Sequence, residues 1–248
     1  MFIVIAGCLR KAAGFFGAGR VFLFGTFRIT LMPTEINFIE TLNCTINYDV
    51  RDGHGVLQRY AVDQENILLL CGGIPSRDLL FVTVVITSIS ENALTVSVDT
   101  NLYYVFRTIN FESGRISNDK MRVYDKGQYI GTSLFLNQVF FARQFGFIKL
   151  STTALEWDGQ ERWDGYYLWA RLGYQMTNRN DLEDFADLVR YFPRPVTNIG
   201  ELVLTEDGYT FWKNQGFTWT GEFLLADDSP SMNHLRRYLA LKQIDFIL

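Results

Sequence analysis

The hydrophobic pattern of this chain changes its period within the stretch from Met121 to Tyr174, and that change constrains the fold most strongly. Residues 132 to 145 repeat apolar side chains at helical spacing, which predicts an α-helix closed by Gly146 in a left-handed conformation. Residues 147 to 153 return to strand composition, and residues 165 to 172 have the length of a short helix. A strand, loop, helix, strand order is typical of a crossover that joins two parallel strands.

The chain before this stretch has the composition of several β-strands. Residues 79 to 89, 92 to 98 and 103 to 111 are rich in β-branched and aromatic side chains, and short polar turns separate them. From about residue 43 onward we therefore predict a consecutive antiparallel meander. One more strand is predicted after it, over residues 116 to 123.

The last third of the chain is more helical. Asn180 and Glu183 have the spacing of a capping box, which predicts the start of a helix that stops before Pro193. Two further helices are predicted over residues 208 to 214 and 231 to 243. Together these segments predict an α+β fold with a mixed, mostly antiparallel sheet and C-terminal helical additions.

The pattern divides the chain into three parts. Residues 1 to 32 are apolar, lack acids and are interrupted by basic side chains, so no run reaches the roughly 20 residues that a membrane span needs. They are predicted to be an extension, a segment that touches a membrane, or a stretch upstream of a true start at Met32. Residues 33 to 176 form the predicted main domain, and residues 177 to 248 are predicted to pack on it.

Composition argues against several classes of function. The net charge is -4, and the basic residues are scattered, so the chain lacks the basic stripe that binds nucleic acid. Cys8, Cys44 and Cys71 show no paired spacing, and only His54 and His234 could join them, so no metal site is predicted. Reduced thiols favour a cytoplasmic location.

The loop from Lys126 to Thr132 joins the last predicted strand to the predicted helix. A helix start presents unpaired backbone N–H groups at the positive end of the helix dipole, which suits an anion such as phosphate. Gly127 and Gly131 allow unusual dihedral angles and a close approach of a ligand. The alternative is that this segment is only a tight turn.

The order of segments from residue 116 to 174 resembles the core of the GCN5-related N-acetyltransferase (GNAT) family. In that family a strand leads into an R/Q-x-x-G-x-G/A loop, and residues 126 to 131 (KGQYIG) take that place here. Residues 171 to 174 (RLGY) look like the K-L-G-F end of a family helix. The resemblance implies a GNAT-like sheet with a splayed parallel crossover, acetyl-CoA as co-substrate, and a small-molecule or protein amine as acceptor.

By this resemblance, the strand end and the loop would bind acetyl-CoA. Loop amides would hold the pyrophosphate, and the strand end would pair with the pantetheine arm. The residues concerned are Met121, Val123, Lys126, Gly127, Gln128, Tyr129, Ile130, Gly131, Thr132 and Ser133.

Tyr166 and Tyr167 are the candidate catalytic residues, because a phenol with an ordinary pKa near 10 can protonate a departing thiolate. The alternative is that both rings only pack or form hydrogen bonds. Glu112, Glu156 and Asp158 are available as a base, and the sequence does not choose among them.

Two positions depart from the family pattern. Tyr129 stands where the family has a glycine, and Trp169 stands where the family often has its tyrosine acid. These departures favour a second hypothesis, a non-catalytic GNAT-like module that binds a protein or has a structural role. The aromatic and acidic region from residue 212 to 229 could bind such a partner, or its helices could cover the open side of the sheet.

Overall fold

The structure is a computed structural model, and it describes residues 45–75, 79–124, 129–155, 165–244 and 246. Its fold is α+β, with an eight-stranded mixed sheet. The chain divides into two compact units. The first comprises Met1–Ser113, Lys120–Gly146 and Gln243–Leu248, and the second comprises Gly114–Asp119 and Phe147–Lys242.

The strands are β1 Thr45–Arg51, β2 Phe81–Ser90, β3 Ala93–Thr100, β4 Tyr103–Asn110, β5 Arg115–Val123, β6 Lys149–Ala154, β7 Gln175–Met176 and β8 Trp219–Leu224. Their order in the sheet is β1-β2-β3-β4-β5-β6-β8-β7. The helices of the described residues are α1 His54–Arg59, α2 Gln64–Leu70, α3 Ile130–Gln144, α4 Gly165–Leu172, α5 Arg179–Val189, α6 Ile199–Val203, α7 Glu206–Gln215 and α8 Pro230–Lys242.

In the first unit, β2, β3 and β4 pair antiparallel, as the meander predicts. β1 instead pairs parallel to β2, with Thr45 opposite Phe81, so the prediction of a wholly antiparallel meander was wrong at β1. The physical reason is the pair of helices α1 and α2, which supply the crossover that a parallel connection requires. The start of α2 is a capping box, in which the Asp63 side chain accepts a hydrogen bond from the Asn66 amide.

One face of the sheet supplies the core of the first unit, because alternate strand residues point to the same side. Val84, Val98 and Val105 are opposite one another on three strands and are fully buried. At Gly72, after α2, φ is +112° and an added Cβ would lie 2.6 Å from the Leu134 carbonyl oxygen. Only glycine permits this close packing against α3.

Helix α3 confirms the helix predicted over residues 132 to 145, and Gly146 follows it with φ of +76°. Two buried amides on α3 bond to the end of α2: Asn137 donates to the Gly72 carbonyl at 3.0 Å, and Gln138 donates to the Leu70 carbonyl at 3.2 Å. These bonds satisfy backbone acceptors that the end of a helix leaves without intrahelical partners.

In the second unit, β5 and β6 form the parallel pair that the crossover predicts. The ladder begins with Arg115 opposite Lys149 and ends with Asn118 opposite Thr152, although β5 itself continues to Val123. The parallel pairing therefore covers only the first part of β5.

Strand β8 lies between β6 and β7 and pairs antiparallel with both. The prediction for the last third of the chain did not include it. Trp219, Gly221 and Phe223 are buried in alternation with more exposed residues, which is the pattern of a strand with one face in a core. Helices α7 and α8 confirm the helices predicted on either side of it.

Helix α5 confirms the helix predicted to stop before Pro193, but its cap is Asn178 and not Asn180. The Asn178 side chain accepts a hydrogen bond from the Asn180 amide at 2.9 Å. Glu183 bonds to Arg179 instead of completing a capping box. The predicted cap was wrong because two asparagines close in sequence both satisfy the N-cap preference.

Within the described ranges, no helix is long and apolar enough to cross a membrane. The predicted extension of residues 1 to 32, including Cys8, lies outside the described residues, as does Cys44.

Candidate functional site

The end of β5 and the start of α3 come together in the first unit. A Cβ added to Gly131 would lie 3.5 Å from Val123 Cγ2 and 3.7 Å from Met121 Cε, which are ordinary contact distances. The structure therefore places these three predicted binding residues beside one another. Lys126, Gly127 and Gln128 lie outside the described residues.

The first turn of α3 presents backbone donors. The first bond into the helix runs from the Ser133 amide to the Tyr129 carbonyl at 2.9 Å. The amides of Ile130, Gly131 and Thr132 precede that bond and have no carbonyl within α3 to which they can donate. The N-cap side chain does not bond to them either. This turn therefore has the N–H groups and the dipole that bind an oxyanion.

Tyr129 is the N-cap of α3 and has left-handed dihedral angles, with φ of 56° and ψ of 14°. Such a conformation costs an L-residue about 1 to 2 kcal/mol, and glycine avoids that cost. Tyr129 is 47% exposed, so it lies at the surface beside the first turn. The family pattern has glycine at this position, and the backbone here adopts the conformation that glycine favours.

The two candidate catalytic tyrosines lie in the second unit and are buried. The Tyr166 hydroxyl donates to the Lys213 carbonyl, and the Tyr166 carbonyl accepts from the indoles of Trp212 at 3.0 Å and Trp219 at 2.6 Å. The Tyr167 ring packs edge-on against the Tyr166 ring. An acid role for Tyr166 requires its hydroxyl to leave the Lys213 carbonyl.

Trp169 is a packed aromatic residue, as its lack of an acidic proton suggests. Its side chain is buried, and its ring meets the Tyr174 ring edge-on at 5.1 Å. The fully buried Tyr174 hydroxyl in turn accepts a hydrogen bond from the Asn118 side-chain amide at 2.6 Å. The Thr152 hydroxyl donates to the Asn118 carbonyl at 2.9 Å.

Sequence reasoning missed this buried polar group of Asn118, Thr152 and Tyr174, which lies where the β5 and β6 ladder ends. The sequence contains one signal for this buried polar group. Ile116 and Asn118 are two positions apart on a strand and share a face, so an apolar side chain at 116 places the amide at 118 toward the core. A polar residue at a core position usually marks a hydrogen-bonded group.

The remaining candidates from the sequence are the possible bases, metal ligands and reactive thiols. Glu112 accepts a hydrogen bond from the Asn92 side chain at 2.9 Å, whereas Glu156 and Asp158 lie outside the described residues. Among the described residues, no group of three or more His, Cys, Asp or Glu side chains could hold a metal ion. Burial raises the pKa of the Cys71 thiol to about 12, so it is an unreactive core residue.

The aromatic region near the C-terminus packs inward. Trp212 and Trp219 are fully buried, and Phe217 meets the Trp212 ring edge-on at 5.2 Å. Asp227 forms an ion pair with Arg236 at 3.0 Å. These contacts favour the interpretation that this region covers its own unit, and its predicted use as a partner surface stays a prediction.

Comparison with protein-family models, with curated proteins and with solved structures finds no match to this chain.

Proposed function

We propose that this protein transfers an acyl group, most simply acetyl, from acetyl-CoA to an amine. The observation that carries the proposal is the first turn of α3, where three backbone amides have no acceptor within the helix and Gly131 lies beside Met121 and Val123 at the end of β5. The sequence resemblance to the GNAT family assigns the same residues to acetyl-CoA, and the parallel pairing of β5 and β6 supports that assignment.

Each part of the co-substrate would meet a different element. The amides of Ile130, Gly131 and Thr132 would hold the pyrophosphate, and the residues from Met121 to Val123 would contact the pantetheine arm. Lys126, Gly127, Gln128, Tyr129 and Ser133 complete the proposed binding set.

In the reaction, the amine nitrogen attacks the thioester carbonyl carbon, the new C–N bond forms and the C–S bond breaks. The amine gives up a proton to a base or to water, and the departing thiolate takes one from a tyrosine or from water. Tyr166 and Tyr167 are the proposed tyrosines. Holding the amine and the thioester together supplies much of the rate enhancement, because it removes the entropy cost of their encounter.

Thermal unfolding with and without acetyl-CoA tests the proposal. A ligand at one hundred times its dissociation constant adds about 2.7 kcal/mol to the free energy of unfolding. For a chain of this size that raises the midpoint by about 5 to 11 °C. An unchanged midpoint at millimolar acetyl-CoA would contradict the proposal.

Gly131→Glu locates the effect. Its Cβ fits beside Val123, and a carboxylate in the first turn favours the helix dipole, so folding should be retained. The same carboxylate repels a pyrophosphate and should abolish the acetyl-CoA shift. Gly55→Glu is the matched control, since Gly55 is likewise the second residue of its helix and has no atom near its missing Cβ.

A non-catalytic GNAT-like module is the second candidate function. The Tyr129 ring at the cap of α3, the Tyr166 hydroxyl bonded to Lys213 and the buried Trp169 favour it. This candidate predicts no acetyl-CoA shift in the wild-type chain. Alternatively, it predicts a shift without any transfer of acetyl to a panel of amines.

A further inference from the structure

Arg171, at the end of α4 in the second unit, has its guanidinium over two tyrosine rings. Its guanidinium carbon is 4.0 Å from the centre of the Tyr209 ring and 5.6 Å from that of Tyr238. These rings come from α7 and α8, so three helices fix the position of one cation. An aromatic ring over a guanidinium contacts its face, whereas the N–H donors lie in the guanidinium plane.

Among the described residues, no carboxylate lies within ion-pair distance of this guanidinium, and the buried Nε donor has no hydrogen-bond acceptor. By contrast, Arg236 on α8 forms an ion pair with Asp227. A buried donor without an acceptor is costly, which points to a partner that the described residues do not supply.

Helix α8 also contacts the backbone of Arg171. His234 on α8 has its Nε2 atom 3.0 Å from the Arg171 carbonyl oxygen. Arg237, three residues further along α8, is exposed, and its charge contributes to lowering the pKa of His234, which burial lowers most. The amide and hydroxyl of Thr197, each 2.8 Å from the Glu201 carboxylate, lower the pKa of Glu201 most, and Arg237 adds a smaller lowering.

We infer that Arg171 is the anchor of an oxyanion-binding site in the second unit. Tyr209 and Tyr238 orient the guanidinium, and its in-plane N–H groups donate to two oxygens of one anion. A carboxylate and a phosphate both offer the paired oxygens that an arginine binds with two parallel hydrogen bonds. The site stands whether or not the protein transfers acyl groups.

The test is thermal unfolding of the full chain in sodium phosphate, sodium acetate and sodium chloride at one pH and equal ionic strength. Wild type is expected to unfold at a higher temperature in phosphate or in acetate than in chloride, with a shift that saturates. At ten times the dissociation constant the folded state gains about elevenfold over the unfolded state. The anion that gives the shift identifies which source the site accepts.

Arg171→Gln is expected to lose the anion-specific shift. Arg190→Gln, which removes an equal charge from an exposed pair with Asp187 in the same unit, is expected to keep it. The inference is overturned if wild type shows no difference between the salts, or if Arg171→Gln responds as wild type does.

Arg171→Lys serves if the glutamine variant does not fold. Lysine keeps the charge but lacks the planar pair of donors, so the anion-specific shift should fall well below that of wild type. An undiminished shift in Arg171→Lys would show that the arginine geometry plays no part in anion binding.

Discussion

The buried bond between Asn118 and Tyr174 gives a prediction whose size follows from the structure. Tyr174→Phe removes the hydroxyl that accepts from the Asn118 amide at 2.6 Å, and both side chains are almost fully buried. Water cannot readily replace that acceptor. Leaving a buried donor without this partner costs about 1 to 3 kcal/mol, so the variant should be destabilised by that amount.

Urea unfolding followed by tryptophan fluorescence is the appropriate assay. All five tryptophans lie between residues 147 and 242, within the second unit, so their emission reports on the unit that contains the bond. Tyr191→Phe is the matched control, because Tyr191 is 83% exposed and its hydroxyl reaches water. That control should change the free energy of unfolding by less than about 0.5 kcal/mol.

A double-mutant cycle with Asn118→Leu separates the bond from the packing. Removing both partners replaces a polar pair with an apolar pair of similar shape. The double variant should therefore lose less free energy of unfolding than the sum of the losses in the two single variants. The expected coupling is about 0.5 to 3 kcal/mol. The reasoning is refuted if Tyr174→Phe is as stable as wild type, or if the two changes simply add.

Three further predictions concern single side chains. Burial lowers the pKa of His234 from its ordinary 6.5, so the unfolded chain binds the proton more readily. Stability should therefore fall as the pH drops below about 6.5. The urea midpoint should change less between pH 7.5 and pH 5.5 in His234→Gln than in the control variant His54→Gln. Gly146→Ala should lower the free energy of unfolding by about 1 to 2 kcal/mol, and Gly173→Ala should lower it by more. Both glycines have positive φ, but only at 173 would the new Cβ meet a backbone oxygen, at 2.7 Å, and equal urea midpoints would contradict this. Tyr129→Gly should stabilise the chain by up to about 1 kcal/mol, measured by circular dichroism in urea, because glycine tolerates the left-handed cap; a loss of stability would contradict this.

The sequence predicted the elements whose pattern is long and local. Helix α3 repeats its apolar residues over four turns, and Gly146 has the positive φ that a helix-closing glycine was expected to have. The parallel pairing of β5 with β6 followed from the order of segments alone. Strands β2 to β4 were also predicted, because β-branched and aromatic side chains are frequent in them and short polar turns separate them.

The sequence did not predict features that depend on distant or short segments. β8 has only six residues between two helices, so its alternation around Trp219 gave a weak signal. The parallel pairing of β1 depends on two short helices that the strand-rich composition obscured. Asn118 and Tyr174 are 56 residues apart, and only the folded chain brings their side chains together.

The candidate site was predictable in part for the same reasons. The contact of Gly131 with Met121 and Val123 follows from the crossover, since a helix that leaves a strand begins beside the end of that strand. The packing of Tyr166 between Lys213 and the indoles of Trp212 and Trp219 could not be predicted, because these partners come from a later part of the chain.

Calorimetric titration of acetyl-CoA into the full chain tests the central claim most directly. Our account predicts one site on the wild-type chain, affinity at least roughly tenfold weaker in Gly131→Glu, and unchanged affinity in Gly55→Glu; a tenfold loss corresponds to about 1.4 kcal/mol. No heat of binding to the wild-type chain, or equal affinity in all three proteins, would contradict the assignment of acetyl-CoA to the first turn of α3.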